Sequence, residues 1–252
     1  MNSFYDAIYL SPHLDDAVLS CGGQIYQLTQ AGGSVLIVTI MAGDVPSGEL
    51  SLFAQGLHDR WQLPLNASSA RREEDRAASL TLGAEYKHLD LLDCIYRQDP
   101  DDGVALYQSE DALFGDLHPA ESSLVNCLAE ILAQLPKAKQ VFSPLTLGHH
   151  VDHQLTRQSA ELWRGSDNLT YYEDYPYAVS DNALKRQLLD DNNWRSKTIE
   201  ITEDALAARI QAIACYHSQL STFFDDYDAM SRHVHQYVQE VGGERLWHHI
   251  VL

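Results

Sequence analysis

The run Val35-Leu36-Ile37-Val38-Thr39-Ile40 constrains the fold of this chain more than any other feature. It is mostly β-branched and apolar without alternation, and a strand reads that way when both of its faces are covered. A second short apolar run, Ala7-Ile8-Tyr9-Leu10, stops at Ser11-Pro12 and reads as another buried strand ending in a loop. Between the two the period changes. Val18, Leu19, Ile25 and Leu28 fit one helical face, and Ala31-Gly32-Gly33 closes the helix with residues suited to its end.

The alternation continues along the chain. A helix is expected from Arg71 to about Leu82, capped by Ser68 or Ser69 and closed by Gly83, with a strand around Tyr86 to Leu91 after it. Ser122 to Leu135 reads as a helix, Gln140 to Phe142 as a short strand, and another helix begins near His150. Leu169 to Tyr172 and Thr198 to Ile201 read as strands, and Asp204 to His217 as a helix. Residues 43–66 and 97–119 look like long loops, the first with a helical piece near Leu57 to Trp61. Strand–helix alternation over 252 residues predicts one α/β domain spanning residues 1–252, an open, mostly parallel sheet with helices on both faces. Ligands bind such sheets at the carboxyl ends of the strands.

Composition removes several classes of function. The formal charge of −19 argues against a nucleic-acid duplex or an anionic membrane as partner. No apolar run approaches the ~20 residues of a membrane helix, and the N-terminus lacks the basic-then-apolar pattern of a secretory signal. Cys21, Cys94, Cys127 and Cys215 form no CxxC pair, which points to a reducing, cytoplasmic setting and away from a thiolate metal site. Cys127 and Cys215 fall in apolar helical patterns, where cysteine acts as a small hydrophobe. No GxGxxG follows the first strand, so a dinucleotide site is not indicated.

Two polar segments begin just after predicted strands and therefore share one rim of the sheet. In Ser11-Pro12-His13-Leu14-Asp15-Asp16, His13 and Asp16 are three apart and can face one point, with Asp15 beside them. Adjacent carboxylates after a buried strand need compensating positive charge, from a helix N-terminus or a cation. The plain alternative is that Asp15 or Asp16 caps the helix. In His149-His150-Val151-Asp152-His153, His150 and His153 have the same spacing at a helix start and suit a divalent transition metal; a solvated helix start is the alternative. His149 stands beside the pair. Together the segments offer two His and one Asp with an open position, the composition of a catalytic zinc site. Such a metal acidifies a bound water and polarises a carbonyl, and the residues left over, Asp15 and His150, are types that move protons or stabilise an oxyanion.

Ser-Pro-His-Leu-Asp-Asp-Ala-Val-Leu-Ser-Cys-Gly-Gly resembles the N-terminal signature of the LmbE-like (PIG-L) zinc deacetylases, with Leu14 and Ala17 where the family usually has Pro and often Glu. Gly-His-His-Val-Asp-His resembles their second signature, Arg71 to Gly83 their Arg-x-x-Glu helix, and Ala212 to Gln219 a late helix ending in Ser-Gln. The resemblance covers residues ~5 to 220 in the family's order. It implies a Rossmann-like fold and a hydrolase that removes an N-acyl group, typically N-acetyl, from an amino sugar or sugar conjugate. It implies one zinc per chain, held by His13, Asp16 and His153, with Asp15 as general base. His150 would stabilise the oxyanion or act as general acid, Asp152 would orient a histidine, and Arg71 and Asp93 would contact substrate; Glu74 either shares that duty or pairs with Arg71. Some relatives carry a Tyr two residues before the catalytic His, where this chain has Gly148, so Tyr172, Tyr175, Tyr177 and His217 are candidate replacements. The alternatives are a metal phosphoesterase, which needs more ligands and a basic cradle, and a non-catalytic sugar-binding relative. Substrate identity and oligomeric state are not written in these motifs.

Overall fold

The computed structural model describes residues 2–61, 67–180, 182–188 and 193–250. The strands are β1 (Phe4–Ser11), β2 (Val35–Thr39), β3 (Glu85–His88), β4 (Lys137–Pro144), β5 (Thr170–Tyr172), β6 (Trp194–Ile199) and β7 (Glu244–His249). The helices of four residues or more are α1 (Asp16–Gln30), α2 (Leu52–Trp61), α3 (Ala67–Thr81), α4 (Glu110–Leu113), α5 (Ser122–Leu132), α6 (Val151–Arg164), α7 (Ala183–Leu188), α8 (Glu203–Ile213), α9 (His217–Phe223) and α10 (Tyr227–Val241). The strands form one sheet in the order β3-β2-β1-β4-β5-β7-β6. The first five are parallel; β7 runs antiparallel to both β5 and β6.

The doubly covered strand is as expected. Val35 and Ile37 of β2 join the core formed with α1, α3, α8 and α10, while Leu36, Val38 and Ile40 join the core formed with α5 and α6. Strand order reverses between β1 and β4, whose carboxyl ends lie side by side. That switch point is where a doubly wound sheet opens a crevice.

Several boundaries differ from the sequence reading. α3 is already helical at Ser68 and Ser69, so neither caps it at the expected place, and residues 62–66 of the first loop lie outside the described region. β4 starts earlier than expected, at Lys137; its first half is largely exposed and polar, which hides the strand pattern. β6 lies earlier than expected, at Trp194–Ile199, on the exposed sheet edge. Cys127 is exposed, against the expectation of a buried one. Described parts of both long loops contribute to a packed core. Ala54 and Leu57 from one, with Cys94, Ile95, Tyr107 and Leu113 from around the other, pack with Val151 into a third, smaller core. That core roofs the start of α6.

Candidate active site

Both polar segments sit at the switch point. β1 ends at Ser11, whose hydroxyl donates to the His13 carbonyl (2.7 Å) and accepts the Ala17 N–H (3.0 Å). Ser11 therefore satisfies the start of α1. Asp15 occupies the N-cap position but makes no side-chain cap bond. Its carboxyl instead lines a cavity of about 280 Å³ together with His13, Asp16, Arg71, Asp93, His150 and other residues. The simple capping reading of Asp15 fails for this reason.

His13 and His153 converge on one oxygen. Asp16 Oδ2 lies 3.3 Å from His13 Nδ1 and 3.3 Å from His153 Nε2. Ligand atoms of a tetrahedral zinc site with bonds of ~2.0–2.1 Å are about 3.3–3.4 Å apart, and the two edges that meet at Asp16 have that length. Each histidine is turned by a carboxylate on its other nitrogen, the arrangement that leaves a lone pair for a metal. His153 Nδ1 donates to Asp174 Oδ1 (2.5 Å), and its buried Nε2, facing Asp16 Oδ2 at 3.3 Å, makes no well-aligned hydrogen bond among the described residues. His13 Nε2 donates to Asp152 Oδ2 (2.9 Å). The expectation that Asp152 orients a histidine thus takes a definite form: the ring its carboxylate holds is His13.

Asp174 is a residue the sequence reading missed. It follows β5 on the same rim and also accepts the Leu147 N–H (3.1 Å), bracing the turn that precedes α6. In that turn Thr146 and His149 have left-handed backbones, φ 67° and 59°. His149 points outward to Asp116 at 3.3 Å, away from the cluster.

His150 caps α6, its Nδ1 accepting the Asp152 N–H (3.2 Å). That fixes the hydrogen on Nε2, on a ring that lines the cavity. Burial, helped by the neighbouring His13, pushes its pKa down to about 3, so the ring is neutral. Burial and the adjacent Asp16 raise Asp15 to about 7, while Arg71 opposes them. For His153 burial works downward, but Asp16 and Asp174 outweigh it and lift the ring to about 9. The same contest holds Asp16 well below the usual carboxylate range, where His153 and His13 overcome burial. The cluster attracts positive charge, which a divalent cation supplies more fully than protons do.

Arg71 and Asp93 both reach the cavity; Asp93 Oδ1 also accepts the Ile95 N–H (3.2 Å), and Oδ2 lies 4.0 Å from His13 Nε2. Glu74 accepts the Ser218 N–H (3.0 Å) and hydroxyl (2.6 Å), tying α3 to α9. Among the described residues, the groups whose ligand atoms lie within 4.8 Å of one another are His13 with His150 and His153, Cys94 with His150 and Asp152, and His13 with Asp93 and Asp152; each overlaps the expected set at His13, His153 or its neighbours, and none includes Asp16. Burial pushes the Cys94 thiol well up, which disfavours it as a thiolate ligand. Of the four candidates for the missing tyrosine, Tyr177 alone lines the cavity. Tyr172 donates to the Leu10 carbonyl, Tyr175 packs between Phe224 and Tyr237, and His217 is exposed. A Cβ at Gly148 would lie 2.5 Å from the Tyr177 ring, so the glycine makes room for this tyrosine.

Comparison with known proteins bears on the family and the fold. The family model for GlcNAc-PI de-N-acetylase (PIG-L) matches residues 8–163. A 2'-N-acetylparomamine deacetylase from Niallia circulans is 23% identical over 235 residues, covering 87% of this chain and 82% of its own length. Among solved structures, a zinc-inhibited form of teicoplanin deacetylase Orf2 superposes with a TM-score of 0.80 at 29% identity, over 96% of each chain. The A40926 pseudoaglycone deacetylase Dbv21 follows at 0.73 and 28% identity, over 98% of this chain and 97% of that one. No helix among the described residues is long and apolar enough to cross a membrane. With its family match running from β1 through α6, and both signature segments meeting at the crevice inside it, the chain belongs to the PIG-L family of de-N-acetylases.

Proposed function

We propose that this chain is a zinc-dependent hydrolase, one ion per chain, that removes the N-acetyl group from an amino sugar or sugar conjugate. A single domain over residues 1–252 would carry the activity. The observation that carries the reading is the convergence of His13 and His153 on one oxygen of Asp16, beside an Asp15 that caps nothing. His13, Asp16 and His153 would hold the ion. A divalent metal there lowers the pKa of water and polarises the acetyl carbonyl.

The chain's own groups do the rest. Asp15, lifted toward neutrality, accepts the proton of the attacking water and returns it to the nitrogen as the C–N bond breaks, releasing acetate and an amine. The neutral His150 is a poor proton source but a good donor, and its Nε2–H bonds the carbonyl oxygen as charge builds there. The Tyr177 hydroxyl is a second donor on the same wall. Arg71 and Asp93, which line the cavity, would bind polar groups of the sugar. A phosphoesterase is the weaker reading, because the cavity sets Arg60 and Arg71 against Asp15, Asp16, Asp93 and Glu110. That balance does not cradle a phosphate.

The test is acetate release from 2'-N-acetylparomamine, A40926 pseudoaglycone and simple N-acetylglucosamine conjugates. Release from at least one, abolished by a chelator and restored by zinc, is expected. Phosphate release from phosphomonoesters with no acetate from any amide would overturn the reading.

A further inference from the structure

The acidic stretch that follows β3 contributes a buried chain of charges ending on a candidate metal ligand. Asp152 is fully buried. Its Oδ2 receives His13 Nε2 (2.9 Å) and the Cys94 N–H (3.1 Å), while Oδ1 receives one guanidinium nitrogen of Arg97 (2.5 Å). Arg97 also donates to the Leu92 carbonyl (3.0 Å) and is ion-paired with Glu121, which is itself only 3% exposed. Glu121 Oε2 accepts both an Arg97 guanidinium N–H (3.3 Å) and the Tyr107 hydroxyl (2.5 Å), and that hydroxyl accepts the His118 N–H (2.9 Å). The order is therefore His13, Asp152, Arg97, Glu121, Tyr107, with signs alternating through three buried charges.

We infer that Arg97 is a positioning residue: by taking Oδ1 of Asp152 it turns Oδ2 to His13, and so fixes the ring with Nδ1 facing Asp16. The inference rests on His13 being a metal ligand. The physical reason is geometric. A carboxylate has two faces to satisfy, and in a site sealed from water an unpaired oxygen rotates toward whatever donor it can find. Arg97 removes that freedom from Asp152. Its planar fork serves Asp152 and Glu121 at once, which a lysine ammonium does less well. Glu121 and Tyr107 in turn keep the fork from swinging away. Loss of such an outer partner commonly weakens metal binding by about 10–100-fold without touching a ligand.

The experiment is zinc affinity by chelator competition on the full chain, with folding followed by circular dichroism. R97M should weaken zinc by about 10–100-fold, R97K should recover part of the loss, and Y107F, which trims only the outer link, should give a smaller loss of the same sign. The 15N shifts of the His13 ring should leave the single-tautomer pattern in R97M. H153A serves as reference and should lose zinc altogether. If H153A loses zinc while folded R97M and E121Q bind it like the wild type, the inference is wrong. If H153A keeps zinc, the ligand assignment beneath it is wrong instead. Should R97M fail to fold, Y107F and E121Q decide: unchanged affinity and an unchanged His13 spectrum in both would overturn the inference.

Discussion

At the residue scale, the site depends on neighbours that release functional groups from structural duty. Ser11 caps α1 and so leaves Asp15 to face the cavity. Ser11→Ala should cost about 1 kcal/mol of stability, the usual value of a lost N-cap. It should also lower kcat, because Asp15 then becomes the nearest acceptor for the orphaned N–H. Chemical denaturation and steady-state kinetics on one preparation check both effects; full activity with the expected stability loss would show that the cap has no bearing on Asp15. Asp174 acts on His153 in the same manner. Asp174→Asn keeps the shape but offers the ring an amide in place of a carboxylate, and zinc affinity should drop by about tenfold or more. An unchanged dissociation constant would show that packing alone orients His153.

At the element scale, α1 is held by a device that explains its Gly22-Gly23 pair. Buried Arg209 donates to the Leu19 carbonyl, and Glu244 accepts the N–H groups of Gly23 (2.8 Å) and Gln24 (2.9 Å). Arg209 and Glu244 pair with each other at 3.1 Å. A Cβ at Gly22 would come within 2.9 Å of the Arg209 side chain, and one at Gly23 within 2.8 Å of Glu244. The glycines let α8 and β7 reach the helix backbone. Glu244→Ala leaves a buried guanidinium unpaired and should cost about 3–5 kcal/mol in urea unfolding. A loss below about 1 kcal/mol, the range of an exposed pair, would mean that water reaches Arg209 in the variant.

The same helix shows what was legible in advance. The doubly buried β2, the 3.6-residue face of α1 and the paired His/Asp segments follow from local periodicity and spacing, so their places on the rim could be read. Partners distant in sequence could not. Asp174, Arg97 and Glu244 are ordinary carboxylates or cations in the chain, and only folding brings each to its target. β4 was blurred because its first half is exposed and polar although it lies mid-sheet, and β6 because an exposed edge strand relaxes the apolar pattern. α10 carries local signals of its own, an Asp226 cap and a left-handed Gly242 at the helix end. The antiparallel seating of β7 between β5 and β6 had no local signature.

At the scale of the whole molecule, the two loop regions form a roof whose small core touches α6, so site and roof should gain stability together when metal binds. Zinc at 100 times its dissociation constant should add about 2.7 kcal/mol. The metal-free protein should also respond to pH in a defined way. His153 has a folded value of about 9 against an ordinary 6.5, so its contribution is full below 6.5 and is lost as pH rises through about 9. Thermal melts of chelated protein should therefore decline over that window, and saturating zinc, which occupies Nε2 in place of a proton, should flatten the decline. Parallel declines with and without zinc would separate His153 from the metal.

Under the proposed function, His13, Asp16 and His153 would hold the metal, and Asp15 and His150 would act beside it. Zinc content per chain, measured alongside acetate release in wild type, Asp15→Asn and His153→Ala, tests that division directly. The wild type should carry one zinc and be active. Asp15→Asn should carry one zinc with activity down by about 10²–10⁴-fold, the usual loss for a missing general base. His153→Ala should carry none and be inactive. A fully active Asp15→Asn, or a His153→Ala that still holds one zinc, would contradict the account.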